Sequence, residues 1–334
     1  MNTTSATEPT ETTTSSRLGV ARRGLGVGLT SLRDYGIVVS FIVIFVFLMF
    51  KSNVFFTKVN LFNVLDQNSE FGIMAVGGTL VLIAGGFDLS VGAIFALTGV
   101  VAAKSAAHMD PTFALMLGAL VGLAVGICNG IITTVGRINP IVGTLASGII
   151  IQGIALVATN GLLINVTRPG FTSLGQGTIF TLHYSVLVWA GFAIVGGFLL
   201  SRTIYGRYIF ASGGNAEAAR LSGVRVNLVR GSTYAISGLS AGVAGVLVAS
   251  RVATGEADTA AFPLTVIAGI VIGGTSILGG EGAVWRSVLG ILLLALIGNG
   301  FNLLGVNPIY QQILQGSIIL AAVAVDAWAR KSSG

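Results

Sequence analysis

The sequence predicts an all-α, polytopic transmembrane helical fold of about ten spans, and three observations lead there. First, of 334 residues 53% are hydrophobic and 9% charged, with a mean hydropathy of +0.90. A soluble domain carries about 25% charged residues, so a soluble globular class is excluded. Second, apolar runs of bilayer-spanning length, about 17–25 residues, recur along the chain. Third, the basic residues are spread over the connections between those runs, so the net charge of +6 reports topology and does not mark a nucleic-acid surface. Glycine is abundant, at 48 residues, which suits close packing of membrane helices.

In chain order, residues 1–33 are Thr/Ser-rich and then basic (Arg17, Arg22, Arg23, Arg33), the composition of a disordered cytoplasmic tail. No small-residue cleavage site follows the first apolar run, so a removed signal peptide is not expected. Spans are expected near 34–51, 71–86, 90–107, 112–135, 140–160, 183–201, 231–250, 262–280, 286–304 and 308–327, making 34–327 one membrane domain, followed by a short cytoplasmic tail, 328–334. Ten spans with both termini cytoplasmic put Arg137, the loop 202–230, Arg286, Arg330 and Lys331 inside. Only Lys51, Lys58, Lys104, Arg168 and Arg251, of 18 Lys and Arg, then fall outside, as the positive-inside rule requires.

An internal repeat is consistent with this count. "CNGIITTVGRINPI" (128–141) resembles "GNGFNLLGVNPI" (298–309), and a double glycine precedes each, Gly85-Gly86 and Gly273-Gly274. With ten spans the two copies turn on opposite sides of the membrane, the pattern of two inverted five-span repeats. Chance similarity between glycine-rich helices is the competing account.

Enzyme signatures are missing from the sequence: no G-x-x-x-x-G-K-[ST] loop, no metal-ligand spacing around His108 or His183, and no cofactor motif. Cys128, the single cysteine, lies in an apolar run where a free cysteine packs as a small hydrophobe. Asp88 and Ser90, in "GGFDLSVGA" (85–93), fall between two spans. An acid there is costly and often functional, and either residue could instead cap the next helix. Asn129, Asn139, Gln152, Asn299, Asn302 and Gln311, with Asn307 and Gln312, are uncharged hydrogen-bonding groups near span ends. They fit a pathway for a neutral polyhydroxyl solute, or serve as helix–helix glue. No expected span holds an acid–base pair, so an energy source outside this chain is expected.

Loop 202–230 contains "GRYIFASGGNAEAARLSGVRV" (206–226). Gly213-Gly214 break the preceding segment, Asn215 is a good N-cap, Glu217 suits the positive helix start, and Gly223 can end the helix. Ala216, Ala218, Ala219, Arg220 and Leu221 complete a short helix. An interfacial lipid anchor would carry bulky apolar side chains on its buried face; alanines and one leucine fit a groove in another protein instead.

This stretch, together with "GGFDLSVGA", "NGIITTVGRINP", "VIGGTSILGGEG" and "NGFNLLGVNPIYQQILQG", in order from about residue 36 to 327, is similar to the permease subunit of bacterial ABC importers for monosaccharides, the ribose-type branch. The resemblance implies an inner-membrane permease, normally paired as a homodimer. It also implies a separate cytoplasmic ABC ATPase that carries the ATP and Mg, and an extracytoplasmic sugar-binding protein. Residues Asn215–Gly223 would be the coupling helix, and segments 161–182 and 251–262 would receive the binding protein. The chain departs from similar permeases at Phe262-Pro263-Leu264-Thr265 and Trp285-Arg286. The alternatives are a stand-alone ion-coupled sugar carrier dependent on an acid such as Asp88, and a membrane enzyme, for which the sequence offers no clustered polar site.

Overall fold

The computed structural model describes residues 36–257, 262–307, 310, 311, 313, 316, 317 and 320. The tails 1–33 and 328–334, Gln312, and part of the last expected span lie outside these residues. In chain order the helices are α1 (Gly36–Lys51), α2 (Lys58–Gln67), α3 (Ser69–Ile83), α4 (Val91–Ser105), α5 (Pro111–Thr134), α6 (Pro140–Thr159), α7 (Ser173–Gln176), α8 (Tyr184–Arg202), α9 (Ile204–Gly214), α10 (Ala216–Leu221), α11 (Val226–Val252), α12 (Phe262–Ile272) and α13 (Val284–Leu303). Residues 310, 311, 313, 316, 317 and 320 are helical too. Among the described residues five helices (α5, α6, α8, α11, α13) are long and apolar enough to cross a membrane; α1, α3, α4 and α12 are shorter apolar helices.

Local chemistry sets the boundaries. Proline begins α5 and α6, where a missing N–H costs nothing. The side chains of Asp110 and Asn139 accept the next free amides, from Thr112 (2.8 Å) and from Ile141 (3.0 Å). The expected span 71–86 stops early, at Ile83, and 262–280 stops at Ile272, each closed by a glycine in the left-handed region: Gly85 (φ +79°) and Gly274 (φ +83°). Both ends make the same pair of closing bonds, Gly85 to Leu82 O with Gly86 to Val81 O, and Gly274 to Val271 O with Thr275 to Ile270 O, the pattern of a Schellman cap. These double glycines do not mark equivalent repeat positions, however: α4 lies between the first pair and Asn129, whereas no helix separates the second pair from α13, which carries Asn299.

Helix α11 is the axis of the bundle, with α3, α4 and α5 against it. Gly118, Gly122, Gly126 and Gly130 form a four-residue-spaced stripe on α5 facing α11. A Cβ on Gly126 would lie 2.4 Å from Tyr234 O, and one on Gly238 would lie 2.4 Å from Gly122 O. The two backbones therefore touch, as small residues permit between membrane helices. Every residue of α3 but Phe71 is buried, as expected of a helix apolar on all sides. Cys128, in contrast, is exposed beside exposed Ile127 and Ile131, on the apolar face that α5 turns away from the bundle, so the expectation that it packs inside is corrected.

The helix ends sort into two groups. At one end β1 (Ile164–Asn165) pairs antiparallel with β4 (Thr254–Gly255), Ile164 opposite Gly255. Gln176 Nε2 donates to Arg251 O at 2.9 Å, and Arg168 Nη1 reaches Ala106 O at 3.3 Å. A second two-residue ribbon, β2 (Thr178–Ile179) with β3 (Leu182–His183), leads into α8. At the other end the C-termini of α3 and α9 meet the loop before α13 and the start of α11, where Arg137, Arg220 and Arg230 converge. Among the described residues three helices were not anticipated. α2 (KVNLFNVLDQ) is too polar, and α7 and α9 too short, to register as an apolar span.

Candidate functional site

The short helix α10 forms as its residues predict. Asn215 is extended (φ −152°, ψ 96°) and its Oδ1 accepts from the Ala218 amide at 2.9 Å. Glu217 in the first turn pairs with Arg220 at 2.7 Å. Gly223 (φ +86°) ends the helix, with the Val224 amide closing on Ala219 O at 3.0 Å. Ala219 is buried and Ala216 partly so, while Glu217, Ala218 and Arg220 are exposed and Leu221 stands 82% exposed. The outward face is thus a leucine, an alanine and a charged pair on the arginine-rich end.

Helix α10 continues from α9 through Gly213-Gly214, and at this joint backbone meets backbone. A Cβ on Gly213 would fall 1.8 Å from Ile83 O, and one on Gly280 would fall 2.7 Å from Gly214 Cα. The Gly280 amide donates to Ile83 O at 2.9 Å. Arg230 crosses the same joint: Nε donates to Ala84 O (2.8 Å) and Nη2 to Ser212 O (2.7 Å). Both carbonyls are at helix C-termini, where intrahelical partners run out.

From Gly85 the chain enters the break between α3 and α4, and here the sequence-singled acid is found. Asp88 is 6% exposed. Its Oδ1 accepts from the Ser90 amide (3.1 Å) and Ser90 Oγ (2.5 Å), and its Oδ2 from Ser237 Oγ (2.8 Å). Asn129 Nδ2 donates to Ser90 Oγ at 2.7 Å. The Leu89 amide donates to Thr144 Oγ1 (3.1 Å), and the Phe87 amide to the Tyr234 hydroxyl (3.1 Å). The struts therefore run from the break to three helices: α5 through Asn129, α6 through Thr144, and α11 through Tyr234 and Ser237. Irregular backbone among membrane helices is tolerated only where protein satisfies it in this way. Below the break lies an open cleft of ≈ 610 Å³, bounded by Gly85, Gly86, Thr134, Arg137, Arg230 and Tyr234 among others.

Of the eight polar residues singled out for a pathway, Asp88, Ser90 and Asn129 come together and the other five do not join them. Asn139 is the exposed N-cap of α6. Gln152 Nε2 donates to Ala257 O. Asn299 forms a reciprocal amide pair with Asn60 of α2, 2.8 and 3.1 Å. Gln311 Nε2 donates to Asn302 Oδ1 at 2.9 Å. None of the eight bounds the cleft.

Sequence reasoning missed Arg230, Tyr234, Ser237 and Thr144, whose contacts span 18 to 149 residues along the chain. It also missed a charged cluster at the opposite end of the bundle. Arg251 of α11 contacts Glu70 of α3 at 3.0 Å and donates to Asp66 O at 2.8 Å, and His183 Nδ1 stands 2.8 Å from Asp66 Oδ2. Glu70 and Arg251 each lie one residue beyond an expected span, so the acid–base pair sits at the span edge. The departure at Phe262 has a packing role: its ring meets Phe71 and Phe95 edge-on, each at 5.0 Å. Trp285 is exposed. Among the described residues no group of three His, Cys, Asp or Glu side chains comes together as a metal site.

Comparison with known proteins agrees with this architecture. The chain is 38% identical over 281 residues to the ribose import permease protein RbsC of Escherichia coli (strain K12), covering 81% of this chain and 87% of that protein. It is 35% identical over 300 residues to the L-arabinose ABC transporter permease protein AraH of Azospirillum brasilense, covering 88% of each. With the L-arabinose transport system permease protein AraH of E. coli (strain K12) it shares 34% over 304 residues, 90% of this chain and 92% of that one. No solved structure matches the chain. Residues 60–323 match the family described as branched-chain amino acid transport system / permease component, and with a bundle of apolar helices around one broken, internally satisfied segment, the chain belongs to that family of multi-pass membrane permeases.

Proposed function

We propose that this chain is the membrane subunit of an ATP-driven importer that moves a monosaccharide, of the pentose class, across the inner membrane by alternating access. The sugar comes from the names of the relatives, a ribose import permease and an L-arabinose ABC transporter permease. The geometric observation that carries the mechanism is α10. It is a capped, six-residue helix projecting from the arginine-rich end, with Ala218 and Leu221 outward, and its stem abuts the break that holds Asp88. A cytoplasmic ATPase gripping Asn215–Gly223 would move that stem, and the break would follow.

In this reading two protomers flank the pathway. The paired outer segments around β1 and β4 receive an extracytoplasmic binding protein, and ATP and Mg reside on the partner. Asp88, Ser90 and Asn129 act by fixing the backbone that bounds the pathway. Asn139, Gln152, Asn299, Asn302 and Gln311 offer neutral hydrogen bonds nearer the span ends. The ion-coupled alternative would need the Asp88 carboxylate for an ion, yet three donors from the protein already engage it.

The test is site-specific crosslinking in native membranes from cysteines at Ala218 and Leu221, with Cys128 replaced by serine. A crosslink to one soluble ATPase that changes with nucleotide supports the powered importer. Lipid adducts alone would make α10 an interfacial anchor and remove the basis for the proposal.

A further inference from the structure

The geometry points to Arg230 as the positioning residue that makes α10 and the α3–α4 break move as one body, an inference that rests on the docking role proposed for α10. The contact between the stem of α10 and the membrane helices is glycine on glycine. Gly213 lies against Ile83 O, Gly214 against Gly280, and Gly279 against Gly85, where a Cβ on Gly279 would be 2.9 Å from Gly85 Cα. Backbones that meet without side chains have no knobs to interlock, so they can slide over one another when pushed. A direct bond across the joint, Gly280 to Ile83 O, joins α3 to the loop before α13 and does not include α9.

Further back along α9, Ile209 packs in a buried cluster with Leu80, Ile83 and Ala84; at the joint itself the polar tie between α9 and the end of α3 is the Arg230 guanidinium. Its planar fork holds Ala84 O with Nε and Ser212 O with Nη2, at 2.8 and 2.7 Å. Two donors fixed in one plane set the separation and the direction of the two carbonyls together, which a single ammonium cannot do. Ser212 stands three residues before Asn215, the N-cap of α10, and Ala84 caps α3.

Arg230 also belongs to a row. Arg230, Tyr234 and Ser237 are spaced i, i+4, i+7, so they share one face of α11. They grip three successive parts of the break: Ala84 O, the Phe87 amide and carbonyl, and the Asp88 carboxylate. A displacement of α10 therefore reaches Ser212, passes through Arg230 to α11 and Ala84, and arrives at the segment 84–90 as a rigid shift of one helix face. Without Arg230, α10 would still dock and Ile209 would still pack α9 against α3, but the glycine joint would lose its polar link to Ala84 and pass on less of the motion.

The experiment uses the assembled transporter in vesicles, in a Cys128→Ser background, with Phe87→Cys in the break as reporter. Its labelling rate by a membrane-impermeant maleimide is compared without nucleotide and after trapping with ATP and vanadate. Ala218→Cys, in parallel samples, reports docking through its crosslink to the ATPase. With Arg230 present, trapping is expected to change the labelling rate about tenfold, within the usual range of coupling between sites. Arg230→Gln should reduce that change to under about twofold while the Ala218 crosslink persists; Arg230→Lys, which keeps the charge without the planar fork, should fall between.

A full nucleotide response in Arg230→Gln with the crosslink intact overturns the inference and leaves the docking proposal standing. No crosslink in the Arg230 parent sinks the docking proposal itself. Should Arg230→Gln alone fail to assemble, Arg230→Lys decides, and a response as large as that of the parent overturns the inference.

Discussion

Replacing Ser237 by alanine removes one hydroxyl and tests what the Asp88 network does. Ser237 is fully buried and Asp88 nearly so, and among the described residues Ser237 Oγ is the donor to Asp88 Oδ2, at 2.8 Å. A hydrogen bond to a charged group is worth about 1.5–3 kcal/mol, and the cost rises when the partner is left buried without a donor. Interhelical hydrogen bonds in membrane proteins often measure lower, about 0.6 kcal/mol on average, but that average comes largely from neutral pairs. We take about 2 kcal/mol, which is roughly 30-fold in a local opening equilibrium.

The readout is amide exchange of the purified protein over residues 84–91. There the Phe87, Leu89 and Ser90 amides donate to side chains on α11, on α6 and to Asp88 itself, so they exchange only when the break opens. Ser237→Ala should accelerate them roughly 30-fold. Ser240→Ala is the control, because its hydroxyl donates within α11, to Ser237 O at 2.8 Å. Unchanged protection in Ser237→Ala, or an equal effect from Ser240→Ala, would refute the claim that Asp88 pins the break to α11.

Two further outcomes follow from packing and charge. Gly126→Ala forces a methyl group toward Tyr234 O at the α5–α11 contact, so it should lower stability by about 1–3 kcal/mol in detergent unfolding, whereas Gly197→Ala, which meets nothing within 4 Å, should be neutral. Arg251→Gln strips the cation from buried Glu70 and Asp66, a loss of about 3–5 kcal/mol; adding Glu70→Gln should restore part of it, and a double variant no more stable than the single one would show that the charge pair is not what Arg251 supplies.

Much of this molecule can be read from local sequence because local physics sets it. Apolar runs must become helices when the backbone cannot hydrogen-bond to lipid. For that reason the expected spans at 112–135, 140–160 and 183–201 differ from α5, α6 and α8 by one residue or none at each end. The caps were equally local: Asn215, Glu217 and Gly223 bound α10 because each acts within one turn of itself. The short helices were harder to see. α2 and α9 are held by tertiary contacts such as the Asn60–Asn299 pair and the Arg230 bond to Ser212 O, and no apolar run announces them. Asp88 was marked correctly as unusual, but its sequence neighbours gave only the Ser90 half of its surroundings.

By itself, then, the chain determined a helical membrane protein, the approximate extent of its apolar helices, and the short capped helix on its arginine-rich loop. These follow from hydropathy, from turn and cap chemistry, and from charge bias, all of which act over a few residues. Tertiary structure alone decided that α11 is the axis, that Arg230, Tyr234 and Ser237 grip the break, that Cys128 faces outward, and that Asp66, Glu70, His183 and Arg251 share one site. Those outcomes depend on which helix faces meet, and in a chain apolar on nearly every face the choice is made by where glycines let backbones touch and where buried polar groups find partners far along the sequence.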